Sequence, residues 1–282
     1  MELPPPDLPP PVLPPLSGTQ PRKQAEQASL DEPSVGRPPK VTLLERDPRL
    51  NSYRDLVLDA VSYPWRRGGA YILVPGTFLA LAFAFGVWAP VIGLVSMGIG
   101  ACFFSAFYLQ IVESTIAGRH SLPDWPSFAD FYDDMLKPGF QMTVVFVMST
   151  LIYVAAAWGL CSVSASFTSE ETQMAIWREV GQAVYSLYIP MAVMGLVLHG
   201  SAAGALPHRV IPAIMRCMPG YLGGVCIMAL ISVITDWLRE SARIIPYAGL
   251  PLAWLLTICL MVMHGRLTGT LGLRFARRIT GV

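Results

Sequence analysis

The chain has 282 residues, of which 53% are hydrophobic and only 14% charged, and its formal net charge is +1. A soluble domain is nearer a quarter charged, so a soluble class is excluded. With no basic excess, nucleic-acid binding by charge is excluded too. The five cysteines (Cys102, Cys161, Cys217, Cys226, Cys259) show no CxxC spacing, so neither a disulfide framework nor a zinc knuckle is implied.

Residues 1–49 form one region and residues 50–282 another. The first, "MELPPPDLPPPVLPPLSGTQ…", has few large apolar residues after its Leu-Pro clusters. Proline lacks an N–H and fixes φ, so this stretch is expected to be a disordered, cytoplasmic Pro-rich tail in solvated polyproline II. It is either a docking tail for a protein partner that reads PxxP or a spacer. No basic and then apolar leader opens the sequence, so the first apolar segment is expected to direct insertion.

The second region is expected to be an all-α, polytopic membrane domain. A helix needs about 20 apolar residues to cross a bilayer. Six runs qualify: Tyr71–Trp88, Val91–Ile111, Phe140–Val163, Ala183–Ala203, Tyr221–Trp237 and Tyr247–Leu267. Ala89-Pro90 reads as a tight turn between the first two. Pro75 and Pro190 fall inside helices that neighbours can support. A membrane barrel would alternate apolar and polar residues, and these runs do not.

A short amphipathic helix is expected before each outward span. In "SFADFYDDMLKPGF", Phe128, Phe131, Tyr132, Met135 and Leu136 fall at i, i+3, i+4, i+7, i+8, opposite Asp130, Asp133 and Asp134. That spacing predicts an interfacial helix capped by Ser127 and stopped at Pro138-Gly139. "VIPAIMRCMPGY" stops likewise at Pro219-Gly220, and "SYRDLVLDAVSYPW" at Pro64-Trp65. The returning spans share an ending: "VESTIAGR", "LHGSAAGA" and "MHGRLTGT". A polar residue (Glu113, His199, His264) precedes a small one (Ser114, Gly200, Gly265), with a glycine (Gly118, Gly204, Gly269) four positions further on. Four positions is about one helical turn, so each small pair is predicted to share a helix-packing face. The whole reads as three degenerate copies of one helical hairpin.

Basic residues orient the spans. Arg66 and Arg67 precede the first; Arg119, Lys137, Arg209, Arg216, Arg274, Arg277 and Arg278 fall on the same side. The opposite side holds only Arg178, Arg239 and Arg243. The positive-inside rule therefore puts both termini in the cytoplasm of a cell's inner membrane. Asp236, Arg239, Glu240 and Arg243, at i, i+3, i+4, i+7, are expected to form an ion-paired external helix end.

No nucleophile elbow, HExxH, P-loop or dinucleotide fingerprint occurs in the sequence, so no catalytic residue and no cofactor is assigned. The best chemical constellation is Glu113, His199 and His264, with Arg266 beside the last. Each histidine lies about 17 residues along its returning span, or roughly 26 Å at 1.5 Å per residue, near the inner edge of the bilayer core. There a His₂Glu set has the chemistry to bind a metal or relay protons. The alternative is a set of interfacial polar residues meeting headgroups or capping neighbours. The MxxM pairs Met191/Met194 and Met215/Met218 divide similarly between a metal path and apolar packing.

"GRHSLPDWPSFADFYDDMLKPG", with "HGRLTGTLGLRFARR" near the end, resembles a family of bacterial polytopic membrane proteins that carry a domain of unknown function. Leu122-Pro123-Asp124-Trp125 is the most specific part, and the resemblance covers roughly residues 50–280. It implies a location and a fold but no reaction. Three functions stay open: a non-catalytic scaffold or assembly protein, embedded in the lipid bilayer; a transporter or channel for a small solute; and a lipid-modifying enzyme at the cytoplasmic interface.

Overall fold

The computed structural model describes residues 52–66, 68–85, 90–164 and 169–280. The Pro-rich tail, with its expected disorder and docking role, lies outside the described residues. All regular structure among the described residues is helical.

Helix α1 (Tyr53–Ser62) begins at Ser52, whose side chain accepts from the Arg54 N–H, and buries Leu56 and Ala60. A 3₁₀ turn, Tyr63–Trp65, ends it. The fixed φ of Pro64 suits such a turn, and its missing N–H cannot extend the helix. Five long helices follow α2 (Gly69–Phe85): α3 (Pro90–Ile116), α4 (Lys137–Ser164), α5 (Glu170–His199), α6 (Pro207–Arg243) and α7 (Gly249–Thr280). A π-type turn, Tyr132–Leu136, leads into α4.

Five stretches, Gly93–Ile116, Tyr132–Ser162, Glu171–His199, Pro207–Arg243 and Gly249–Ala276, are long and apolar enough to cross a membrane. A sixth is reached if α1 and its turn are taken together with α2, which follows at a 70° bend. The architecture is thus all-helical and multi-pass. Large apolar side chains such as Phe78, Phe140, Trp158 and Trp237 are exposed on its flanks, as a surface solvated by lipid allows.

The helices outrun the apolar runs that announce them. The second run was expected to end at Ile111, the fourth to begin at Ala183 and the sixth to end at Leu267, whereas α3 continues to Ile116, α5 begins at Glu170 and α7 reaches Thr280. Hydropathy marks the lipid-facing core, while the helical ladder persists as long as backbone bonds can form. α2 ends at Phe85 and α3 begins at Pro90; of the expected Ala89-Pro90 turn, Ala89 lies outside the described residues.

Two of the three expected interfacial helices are corrected. Ser127 caps no helix; its Oγ accepts from Ala129 N at 3.1 Å in a short turn. The π-type turn then runs without a break into α4, straight through Pro138. Pro138 is the second residue of α4, where a missing N–H costs little. Likewise α6 is continuous through both Pro212 and Pro219. Neighbouring helices sustain it there, and Tyr221 and Cys217 on its flanks are fully buried.

α7 is the central element. It packs on α1, α2, α3, α5 and α6, while α4 rests on α3 and α5. Sequence neighbours α2 and α3, α4 and α5, and α6 and α7 also pack on one another. One core cluster joins Val112, Met191, Tyr221, Leu267 and Leu271. A second joins Tyr63, Leu73, Phe107, Ile111, Leu122 and Val262. Met191 and Met194 belong to the first, as apolar packing.

Candidate functional site

The strongest concentration of polar chemistry is built around Arg266, on α7 and only 3% exposed. Its Nε donates to Asp59 Oδ2 at 2.7 Å. Nη1 donates to the Arg119 carbonyl at 2.8 Å and lies 3.4 Å from Thr115 Oγ1. Nη2 reaches His120 Nδ1 at 3.4 Å, which accepts in the tautomer protonated at Nε2. The guanidinium also stands over the Tyr63 ring, 4.6 Å from its centroid. Four of its five N–H groups are thereby directed at acceptors.

The sequence builds this locally. α3 ends at Ile116, and Gly118 takes φ +75°. There the Gly118 N–H donates to Thr115 O and the Arg119 N–H to Ser114 O, each at 2.9 Å. This left-handed cap turns the chain and presents the Arg119 carbonyl to Arg266. On the other side, α1 carries Asp59 one turn before Tyr63. Asp59 accepts from Arg266 with one oxygen and from Arg66 with the other. The Tyr63 hydroxyl donates to Ser121 O at 2.9 Å. Burial raises the Asp59 pKa, but hydrogen bonds and charge from Arg266 and then Arg66 outweigh it, so the carboxyl is held below its ordinary range.

α1 is pinned at its start as well. Tyr53 donates to Gly220 O on α6 at 2.7 Å, and Arg274 of α7 lies 5.1 Å from its ring centroid. α1 is therefore a strap across α6 and α7, fixed at both ends by polar contacts and between them by Leu56 and Ala60.

Trp125 of the Leu122–Trp125 loop enters the bundle beside this site. It stacks on Phe107 at 4.1 Å and on Phe103 at 5.1 Å between centroids. A Cβ on Gly76 of α2 would stand 2.5 Å from its ring, so glycine makes room for the indole. Its Nε1 is buried and has no hydrogen-bond partner among the described residues.

The expected constellation is not brought together. His199 donates from Nδ1 to Gly195 O of its own helix at 2.8 Å. His264 bridges from α7 to α6, with Nε2 at 3.0 Å from Ser232 Oγ and 3.2 Å from the Met228 carbonyl. Glu113 is exposed on α3. Among the described residues no three His, Cys, Asp or Glu are placed to hold a metal ion.

The three small-residue endings also differ. A Cβ on Gly265 would meet Ile111 of α3 at 2.9 Å; one on Gly269 would meet Val112 O at 2.9 Å and collide with Thr115. These two glycines lie inside α7, on a face that touches α3. Ser114 is buried, its hydroxyl donating to Ile111 O at 3.0 Å. Gly200, by contrast, ends α5 at φ +62°, with nothing within 4 Å of a Cβ built on it. Gly204 sits in a 3₁₀ turn, Ala202–Ala205, its Cα against the Gly195 backbone. Gly118 is the cap of α3. Gly118 and Gly200 are therefore conformational glycines, not packing ones, because a left-handed φ ends the helix before a second small residue can share its face.

Sequence reasoning missed Asp59, Tyr63 and His120 as partners of Arg266. The available signal was a carboxylate on the buried edge of the α1 pattern, one turn from an aromatic residue.

The chain matches no protein-family model, no curated protein and no solved structure.

Proposed function

We propose that this is a non-catalytic membrane scaffold, built as three helical hairpins with both termini in the cytoplasm, whose strapped inner end receives a protein partner. The carrying observation is Arg266. The most buried charge of the site is consumed by internal acceptors, and the ring nitrogens that bond at His199 and His264 are engaged by the protein itself. Arg266 and the two histidine nitrogens, so engaged away from the rim, hold helices together rather than meeting a substrate. The Lys and Arg asymmetry supports a cytoplasmic setting for this end. The α1 strap leaves Leu58, Val61 and Trp65 exposed, and the Pro-rich tail precedes it, so a partner drawn by the tail would meet an apolar helix face.

Photocrosslinking in native membranes tests this. A crosslinker at Leu58 or Trp65 is expected to give a discrete protein adduct that a lipid-facing crosslinker at Phe146 does not give. Lipid adducts alone at all three positions would overturn the reading. Solute flux by purified protein in proteoliposomes would replace it with the transporter reading.

A further inference from the structure

At the end of the bundle opposite Arg266, where α2 and α6 finish and α7 begins, lies a cavity of about 410 Å³. Its wall is apolar: Leu81 from α2, with Leu250, Ala253 and Trp254 from α7. Among the described residues its charged lining consists of Arg239 and Arg243, one turn apart on α6. Each arginine has an acidic neighbour on its own helix, Asp236 at 3.1 Å and Glu240 at 2.8 Å, but neither carboxylate lines the cavity. The Arg239 Nε is buried and has no hydrogen-bond partner among the described residues.

The cavity extends along α7 from Leu250 to Thr257, which is about 10 Å of helix. The chemistry is therefore graded, with two guanidinium forks at the rim and hydrocarbon walls running into the bundle. Pockets of this size hold small ligands. Guanidinium matches the oxygens of a phosphate through paired N–H donors. An unsatisfied buried N–H is costly, and an anionic oxygen would satisfy it. We propose that this cavity is a lipid site, taking the phosphodiester of an anionic glycerophospholipid between Arg239 and Arg243 and the start of an acyl chain against Leu81, Leu250 and Trp254. Among the described residues no carboxylate lines the cavity to receive a cationic headgroup, which favours a net-negative lipid over a zwitterionic one. The inference does not depend on the scaffold reading.

The full-length protein, stripped of lipid in a neutral detergent, is titrated with phosphatidylglycerol, phosphatidylcholine, oleate or sodium phosphate and followed by native mass spectrometry and thermal unfolding. Phosphatidylglycerol is expected to bind with one high-affinity equivalent and to raise the melting temperature. Phosphatidylcholine should bind at least roughly tenfold more weakly, the scale of one lost charged hydrogen bond. Arg239→Gln with Arg243→Gln should abolish that preference, while Arg239→Lys with Arg243→Lys should keep part of it. If the double Gln variant does not fold, single Arg243→Gln, at an exposed side chain, is expected to weaken phosphatidylglycerol alone. Equal binding of the two phospholipids, or a preference untouched by the Gln variants, would overturn the proposal. Inorganic phosphate binding as tightly as phosphatidylglycerol would reject the acyl-chain part, and oleate doing so would reject the phosphodiester.

Discussion

Asp59 and Arg266 stand 207 positions apart, yet Arg266 Nε donates to Asp59 Oδ2 at 2.7 Å. The contact ties the strap helix α1 to the central helix α7, and both partners are largely removed from solvent. Such a pair is weak evidence of net stability, because desolvation opposes the attraction. Breaking it from one side is another matter.

Asp59→Ala should leave Arg266 buried with Thr115, His120 and a backbone carbonyl but no counter-ion. The expected loss is about 3–5 kcal/mol, the cost of an orphaned buried charge. Asp59→Leu combined with Arg266→Met should recover much of it. Equilibrium unfolding in mixed micelles measures all three proteins. A double variant less stable than Asp59→Ala would show that the charges stabilise in their own right.

The same carboxylate sets a pH dependence. Its pKa is lowered in the folded state, so the unfolded state binds the proton first. The contribution is fully present above the ordinary aspartate value of about 4 and is lost as the pH falls through the lower folded value. Stability of the parent should therefore fall more steeply on acidification below about pH 4 than that of Asp59→Asn. Parallel curves from melting in buffers across that range would remove Asp59 from the account.

The glycines should separate by mechanism. Gly269→Ala places a methyl against Thr115 and 2.9 Å from the Val112 carbonyl; Gly204→Ala drives one into the Gly195 backbone. Neither neighbour is the far end of a flexible side chain, so helices must move apart, at about 1–3 kcal/mol or more. Gly200→Ala meets no atom but must hold φ +62°, which costs about 1–2 kcal/mol. His199→Ala, whose ring bonds its own helix at Gly195 and no other described residue, should cost least. Thermal melting of the four variants in one detergent ranks them, and a His199 variant that melts below the Gly269 variant would refute packing as the reason for these glycines.

The helices long and apolar enough to cross a membrane were legible in the sequence because their signal is local and additive: about 20 apolar residues in a row. The interfacial helices before α4 and α6 were misread for a related reason. A proline announces a missing N–H, but whether the helix stops or continues depends on what packs beside it. Pro64 ends α1, whereas Pro219 sits inside α6. The charged site was half visible. Arg266 stood out beside His264, but its partners Asp59 and His120 lie 207 and 146 positions away, and no spacing rule reaches that far. The "HG" repeat misled because identical glycines do two jobs: at Gly265 the helix goes on, and at Gly200 it ends.

Topology is the remaining prediction. If three hairpins start from a cytoplasmic tail, the α4–α5 connection faces outward and the end that holds Arg266 faces inward. Single cysteines in a background free of Cys102, Cys161, Cys217, Cys226 and Cys259 report this directly. A cysteine at Ser169, exposed at the cap of α5, should react with an impermeant thiol reagent in sealed cells. One at Ser121 or Tyr132, exposed between α3 and α4, should react only after the membrane is opened. The two positions are separated by α4 alone, so the result turns on whether that helix crosses. Its flanks argue that it does: Phe146, Leu151 and Trp158 are exposed along its length, a pattern that lipid tolerates and water does not. Labelling of Ser121 in sealed cells would invert the orientation, and labelling of Ser169 and Ser121 together would mean that α4 does not span.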